Sequence, residues 1–158
     1  MKKYEFTGET KQINLLFRTA TLHRIRAVVE FGLVKIGDLG GWIEKEENLS
    51  HGGKAWVWGN AEVWGNAKVW GNAEVFSASH VLVIGAIGSR NDFTTFFRDK
   101  DGEITVKCGC FLGKIDRFLE KVASTHGNSK YALVYRAAVE VAKLQIDLTG
   151  EAPEMDEE

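Results

Sequence analysis

Proline is nearly missing from this chain of 158 residues, with Pro153 the single example against a usual share of ~5%. Proline-rich disorder is excluded with it. Cysteine is scarce as well: Cys108 and Cys110 make no disulfide framework, and a reducing cytoplasm is the simplest expectation. No apolar run approaches the ~18 residues of a membrane span. The opening stretch MKKYEFTGETK lacks the apolar core of a signal peptide. Nor is there a basic excess. Twenty Lys and Arg against 22 Asp and Glu give a net charge of −2, which argues against general nucleic-acid binding. The acids are unevenly placed, because Glu151, Glu154, Asp156, Glu157 and Glu158 fall in the last eight residues. Residues 149–158 therefore read as a solvated, disordered acidic tail.

Glycine is what the chain has in excess. Seventeen glycines are about 11% of the residues, against a usual ~7%, and no Gly-X-Y period makes them collagen. A repeat accounts for part of the excess. From Val57 the sequence runs VWGNAE, VWGNAK, VWGNAE, VFSASH, VLVIGA, so that Val57, Val63, Val69, Val75, Val81 and Ile87 recur every six residues. Ala61, Ala67, Ala73, Ser79 and Gly85 follow four places after each aliphatic. Gly59, Gly65 and Gly71, each followed by Asn, suit tight turns that need unusual backbone angles. An inward aliphatic and a small corner residue at a period of six predict a left-handed parallel β-helix. Three hexapeptides would make one coil of 18 residues, with residues 18 apart stacked at the ~4.8 Å strand spacing. Val57 would then lie under Val75, Val63 under Val81, and Val69 under Ile87.

The expected fold is thus mainly β with some α. It has an N-terminal β-rich cap over 1–54, a short hexapeptide β-helix over 55–89, a C-terminal ββαα unit over 90–148 and the tail over 149–158. Within the ββαα unit, Asp92–Arg98 and Glu103–Phe111 flank the turn Asp99-Lys100-Asp101-Gly102. Ile115, Phe118, Leu119 and Val122 recur at helical spacing. A second helix runs from about Ser129 to Leu148. A stack of about two coils needs capped ends and oligomerisation, because such units cannot bury their faces alone.

The run Gly37-Asp38-Leu39-Gly40-Gly41-Trp42-Ile43-Glu44, followed by the Gly-Asn-Ala hexapeptides, resembles a family of phage and prophage proteins with variable numbers of such repeats. The runs IGSRNDFTTFFR (Ile87–Arg98) and CGCF (Cys108–Phe111), with the helix ending at His126-Gly127, are similar to the C-terminal part of the same family. The resemblance implies origin, architecture and a role useful to a phage inside a bacterium. It implies no catalytic residue.

Four groups of residues carry candidate chemistry. Trp58, Trp64 and Trp70, with Phe76 above Trp58, would lie outward on the prism faces. There they could close a homotrimer or a multiple of one, or stack on a base or sugar. After the repeat, Gly85–Asp92 offers an anion-binding nest without the Lys-Ser/Thr step of a P-loop. Strand alternation would put Arg90, Asp92, Thr94, Phe96 and Arg98 on one face and Phe93, Thr95 and Phe97 under the helices. With Ser89, that first face would bind a small anionic ligand, since arginine forks suit phosphate oxygens. The alternative is an ordinary solvated hairpin whose arginines pair with Asp92, Asp99 or Asp101. Cys108 and Cys110 could be half of a zinc site with His126, or small buried hydrophobes. Glu44 with Glu46, and Asp99 with Asp101, read as solvated charge, and no metal, cofactor or catalytic residue is expected.

The function expected is non-enzymatic. A cytoplasmic trimer would capture an anionic, nucleotide-like signal, such as a cyclic nucleotide or an ADP-ribose derivative, as a counter-defence sponge. Two alternatives stand beside it: a trimeric virion-associated protein, and a hexapeptide-repeat acyltransferase using His51 or His80.

Overall fold

The fold comes from a computed structural model that describes residues 2–149. The acidic tail expected from 149 onward thus lies, apart from its first residue, outside the described residues. No helix among the described residues is long and apolar enough to cross a membrane.

Strands β1 (Tyr4–Asn14) and β2 (Thr19–Ala27) form an antiparallel hairpin, and β3 (Leu39–Ile43) adds to β2. The hexapeptides contribute three two-residue strands: β4 (Trp56–Val57), β5 (Glu62–Val63) and β6 (Glu74–Val75). Each pairs in parallel with chain 18 or 20 residues away. β5 joins β3 through Trp42↔Glu62 and Ile43↔Val63, β6 joins β4 through Trp56↔Glu74 and Val57↔Val75, and Leu49 bridges Val69. Val57, Val63, Val69 and Val75 are all buried, and so are Ala55, Ala61, Ala67 and Ala73. At the corners Gly59, Gly65 and Gly71 take φ of +57°, +67° and +66°, values that a side chain disfavours.

These rungs do not continue into the expected β-helix. Among the described residues there is no closed or parallel β-helix solenoid; the two four-stranded sheets are mixed and antiparallel, and only the two-stranded β4–β6 pair is parallel throughout. Of the expected stackings Val57 with Val75 is present, whereas the rungs at Val63 and Val69 pair backward, with 42–49, and not forward. Val63 meets Ile43 and not Val81, and Val69 meets Leu49 and not Ile87. The phase is lost after Phe76. Ser77 Oγ accepts the Ser79 N–H at 3.2 Å and His80 Nδ1 accepts the Phe76 N–H at 3.0 Å, closing a short 3-10 turn over Ala78–His80. The aliphatic run that follows favours a longer strand. Strand β7 (Val81–Ile87) accordingly runs antiparallel to β8 (Asp92–Arg98), with Val81 opposite Phe97.

The C-terminal unit is also larger than ββαα. Its antiparallel sheet has the order β10-β9-β8-β7, where β9 is Ile104–Cys108 and β10 is Phe111–Lys114. Helices α1 (Ile115–His126) and α2 (Lys130–Gln145) cover one face. Asp99 fixes the β8–β9 turn by accepting from the N–H groups of Asp101 and Glu103 and from the Thr105 hydroxyl at 2.7 Å.

Both faces of β8 are buried. Phe96 packs with Ile104, Val106, Phe118 and Tyr135 beneath the helices, and Phe97 packs with the hexapeptide valines. The expected face assignment was therefore reversed: Phe96, not Phe97, lies under the helices, and Phe93 is partly exposed. Strand alternation is obeyed, but a sheet covered on both sides gives the sequence no polar face to mark which side is which.

Candidate functional site: an aromatic cleft

One concave feature is a cleft of about 220 Å³ beside the paired hexapeptide rungs, lined by Phe31, Gly32, Leu33, Val34, Lys54, Trp56, Trp58, Asn72, Glu74 and Lys100; a larger, more open one of about 540 Å³ lies over Cys110, Phe111 and the outer side of α1. Backbone hydrogen bonds fix the walls of the smaller cleft. Lys54 N–H donates to the Gly71 carbonyl at 2.9 Å, Trp56 N–H to Ala73 at 3.0 Å, and Trp58 N–H to Val75 at 2.8 Å. Lys100 is held by its N–H on the Asn72 carbonyl at 2.9 Å. Opposite, the Phe31 and Val34 backbones bond to each other in both directions, which presents the segment as a tight turn. Four separated stretches of chain thus converge on a rigid frame.

Aromatic rings form the floor. The Phe31 and Trp56 rings meet edge-on at 5.3 Å, and Trp58 lies edge-on to Phe76 at 5.8 Å. Trp58 is 6% exposed, and its buried Nε1–H has no hydrogen-bond partner among the described residues. A buried donor without a partner is costly, at about 1–3 kcal/mol. The rim carries Lys54 and Lys100, both exposed, and the half-buried Glu74. Burial raises the Glu74 carboxyl above the usual carboxylate range, and Arg98 partly opposes that.

Behind Phe31 stands a second lysine environment. Lys3 is 3% exposed, donates from Nζ to the Ala55 carbonyl at 2.6 Å, and sits 4.9 Å from the centre of the Phe31 ring. Burial pulls its ammonium down to about 8. It supports the cleft wall from outside the cavity.

The residues expected to bind ligand are not brought together. Ser89, Arg90 and Asp92 are exposed where β7 turns into β8. Thr94, Phe96 and Arg98 are buried. Thr94 Oγ1 donates to Cys108 Sγ at 3.4 Å, Phe96 stacks edge-on to Phe118, and Arg98 lies 5.4 Å over Phe76 and donates to the Thr149 carbonyl at 2.9 Å. Half of the expected face is therefore interior structure.

Of the aromatics expected outward, Trp58 is internal and Phe76 is half-buried against it, while Trp64 and Trp70 are 42% and 37% exposed. Lys107 lies 4.6 Å over the Trp70 ring and donates to the Gly109 carbonyl, with its pKa lowered by burial. Both histidines considered for acyl transfer are held by backbone. His51 Nδ1 accepts the Lys3 N–H at 3.0 Å, and His80, whose pKa burial and Arg98 lower, accepts the Phe76 N–H. Among the described residues no His, Cys, Asp and Glu group could hold a metal ion.

Sequence reasoning missed Phe31, Lys54, Asn72, Glu74 and Lys100. A signal existed for part of the set. Trp56 stands one hexapeptide before Glu62 and three before Glu74, so an aromatic occupies a phase otherwise filled by charge, and Trp56 pairs directly with Glu74. No protein-family model matches the chain, and no curated protein matches it.

Proposed function

We propose that the protein is a non-enzymatic binder of a small anionic, nucleotide-like ligand, and that the cleft between Phe31, Trp58, Lys54 and Lys100 is where it binds. The observation carrying this reading is a cavity walled by the aromatic residues Phe31, Trp56 and Trp58 and rimmed by two exposed lysines, Lys54 and Lys100. Rings stack on a planar base, and the lysines attract phosphate. At about 220 Å³ the cavity is below the ~300–1,000 Å³ of drug-sized sites. It accommodates a single base with a short substituent, and a cyclic dinucleotide would enter by one of its bases. Sequestration of such a signal, the role suggested by the phage-family resemblance, belongs to this reading. The backbone-held His51 and His80 favour it over acyl transfer.

Calorimetric titration with nucleoside monophosphates, cyclic dinucleotides and ADP-ribose tests it. Binding by at least one of these ligands is expected. Lys54→Ala and Lys100→Ala should each weaken it about tenfold, since a hydrogen bond to a charged group contributes ~1.5 kcal/mol. Arg90→Ala, remote from the cleft lining, should leave it unchanged. Absence of binding by every ligand, or binding indifferent to both lysine variants, would discard the proposal.

A further inference from the structure

Helix α2 is apolar on two sides. Ala132, Tyr135, Ala138, Val139 and Ala142 are buried against the sheet and α1. A second stripe faces solvent: Leu133 is 59% exposed, Val141 47% and Leu144 88%, with Ala137 exposed between them. At about 100° per residue these four fall within an arc of roughly 80°. No charged residue interrupts the stripe. Arg136, Glu140 and Lys143 run along one flank, between the two apolar arcs. An amphipathic surface helix needs only one such arc, so the second calls for a cover.

We propose that the cover is a second copy of this chain, with α2 of one protomer packed antiparallel on α2 of its partner around a two-fold axis. Two observations select this occupant. The stripe is self-complementary: with the axis near position 139, Leu133 meets the partner's Leu144 and Ala137 meets the partner's Val141, as an isologous interface requires. The flanking charges also match only in this sense. Arg136 comes against the partner's Glu140, once on each side of the axis, whereas a parallel two-fold would put this flank on opposite sides of the two helices and leave Arg136 and Glu140 unmatched. The small Ala137 near the axis permits the ~8–10 Å interaxial approach of packed helices. A contact confined to 16 residues of helix, about 24 Å long, lies at or below the ~1,200 Å² of standard interfaces. The dimer is therefore concentration-dependent, with half-association in the micromolar range.

Sedimentation equilibrium of the full chain over a dilution series is the test. The weight-average mass should rise from 17.6 kDa toward twice that value. Leu144→Glu should abolish the rise while circular dichroism and thermal midpoint stay unchanged, because Leu144 makes little intramolecular contact. Should that variant fold poorly, the charge exchange decides. Arg136→Glu should weaken association at least fivefold, and adding Glu140→Arg should restore it. A monomer up to millimolar concentration overturns the proposal, as does a trimer. So does a dimer insensitive to both Leu144→Glu and Arg136→Glu.

Discussion

Lys3 offers a sharp test of the packing around the cleft wall. Its side chain is buried beside Phe31 with one carbonyl acceptor at 2.6 Å, and burial lowers its pKa from 10.5 to about 8. Each unit of displacement corresponds to ~1.36 kcal/mol, so keeping this amine charged costs the folded protein up to about 3 kcal/mol. The sign follows from proton counting. Between pH 8 and 10.5 the unfolded chain holds more protons at this site, so its contribution to stability rises with pH across that window and is flat below it. Tyr4 acts oppositely at the top of the range. Burial and the nearby Glu46 and Glu47 raise its phenol, so stability falls again once the unfolded chain's tyrosine ionises near pH 10. Lys3→Met keeps length and flexibility but removes the titration. The Ala55 carbonyl then loses a partner, at ~1 kcal/mol. The variant should be about 2 kcal/mol more stable than wild type at pH 7, and the gap should close or reverse by pH 10. Urea unfolding of both proteins at pH 7, 8, 9 and 10 measures it. A difference independent of pH would refute the reasoning, because Lys3 would then carry its charge without penalty.

Gly41→Ala should destabilise by at least ~2 kcal/mol. A Cβ there would sit 2.5 Å from the Ala61 carbonyl oxygen and 2.7 Å from Val57, and Trp42 N–H donates to that same carbonyl. Thermal unfolding reads this loss, and Gly37→Ala is no control for it because Gly37 has a φ of +90°. Glu44, paired with Arg18 and accepting the Gly65 N–H at 2.9 Å, is held down at about 2, chiefly by the Arg18 hydrogen bond. Its contribution is present above pH 4.5 and is lost as pH falls toward 2. Because Arg18 is half-exposed, Glu44→Gln should cost only ~1 kcal/mol at pH 7 and little at pH 2, as acid titration of unfolding would reveal.

The hexapeptide period was legible because inward aliphatics and left-handed corner glycines are local requirements, written at fixed spacing. Val57, Val63, Val69 and Val75 are buried for the reason the repeat suggests, and the Val57↔Val75 pairing has the 18-residue offset read from the sequence. The direction of stacking was not local. Whether Val63 meets Val81 or Ile43 depends on which segment offers a free edge, and the turn at Ser77–His80 commits the later chain to the antiparallel sheet. The same limit hid the cleft. Phe31, Trp58, Glu74 and Lys100 come from four stretches of chain joined by hydrogen bonds between distant segments.

The sequence by itself determined the local grammar of this protein: six-residue rungs, the hairpin turn at Asp99–Gly102, two helices and the buried stripe of α2. Each follows from periodicity or turn chemistry within a short window. Only the tertiary structure decided which face of β8 met the helices, which rungs stacked, and where aromatic rings and lysines from separate segments came to line a cavity. Those outcomes rest on burial from both sides and on pairings between distant segments, which no local pattern encodes.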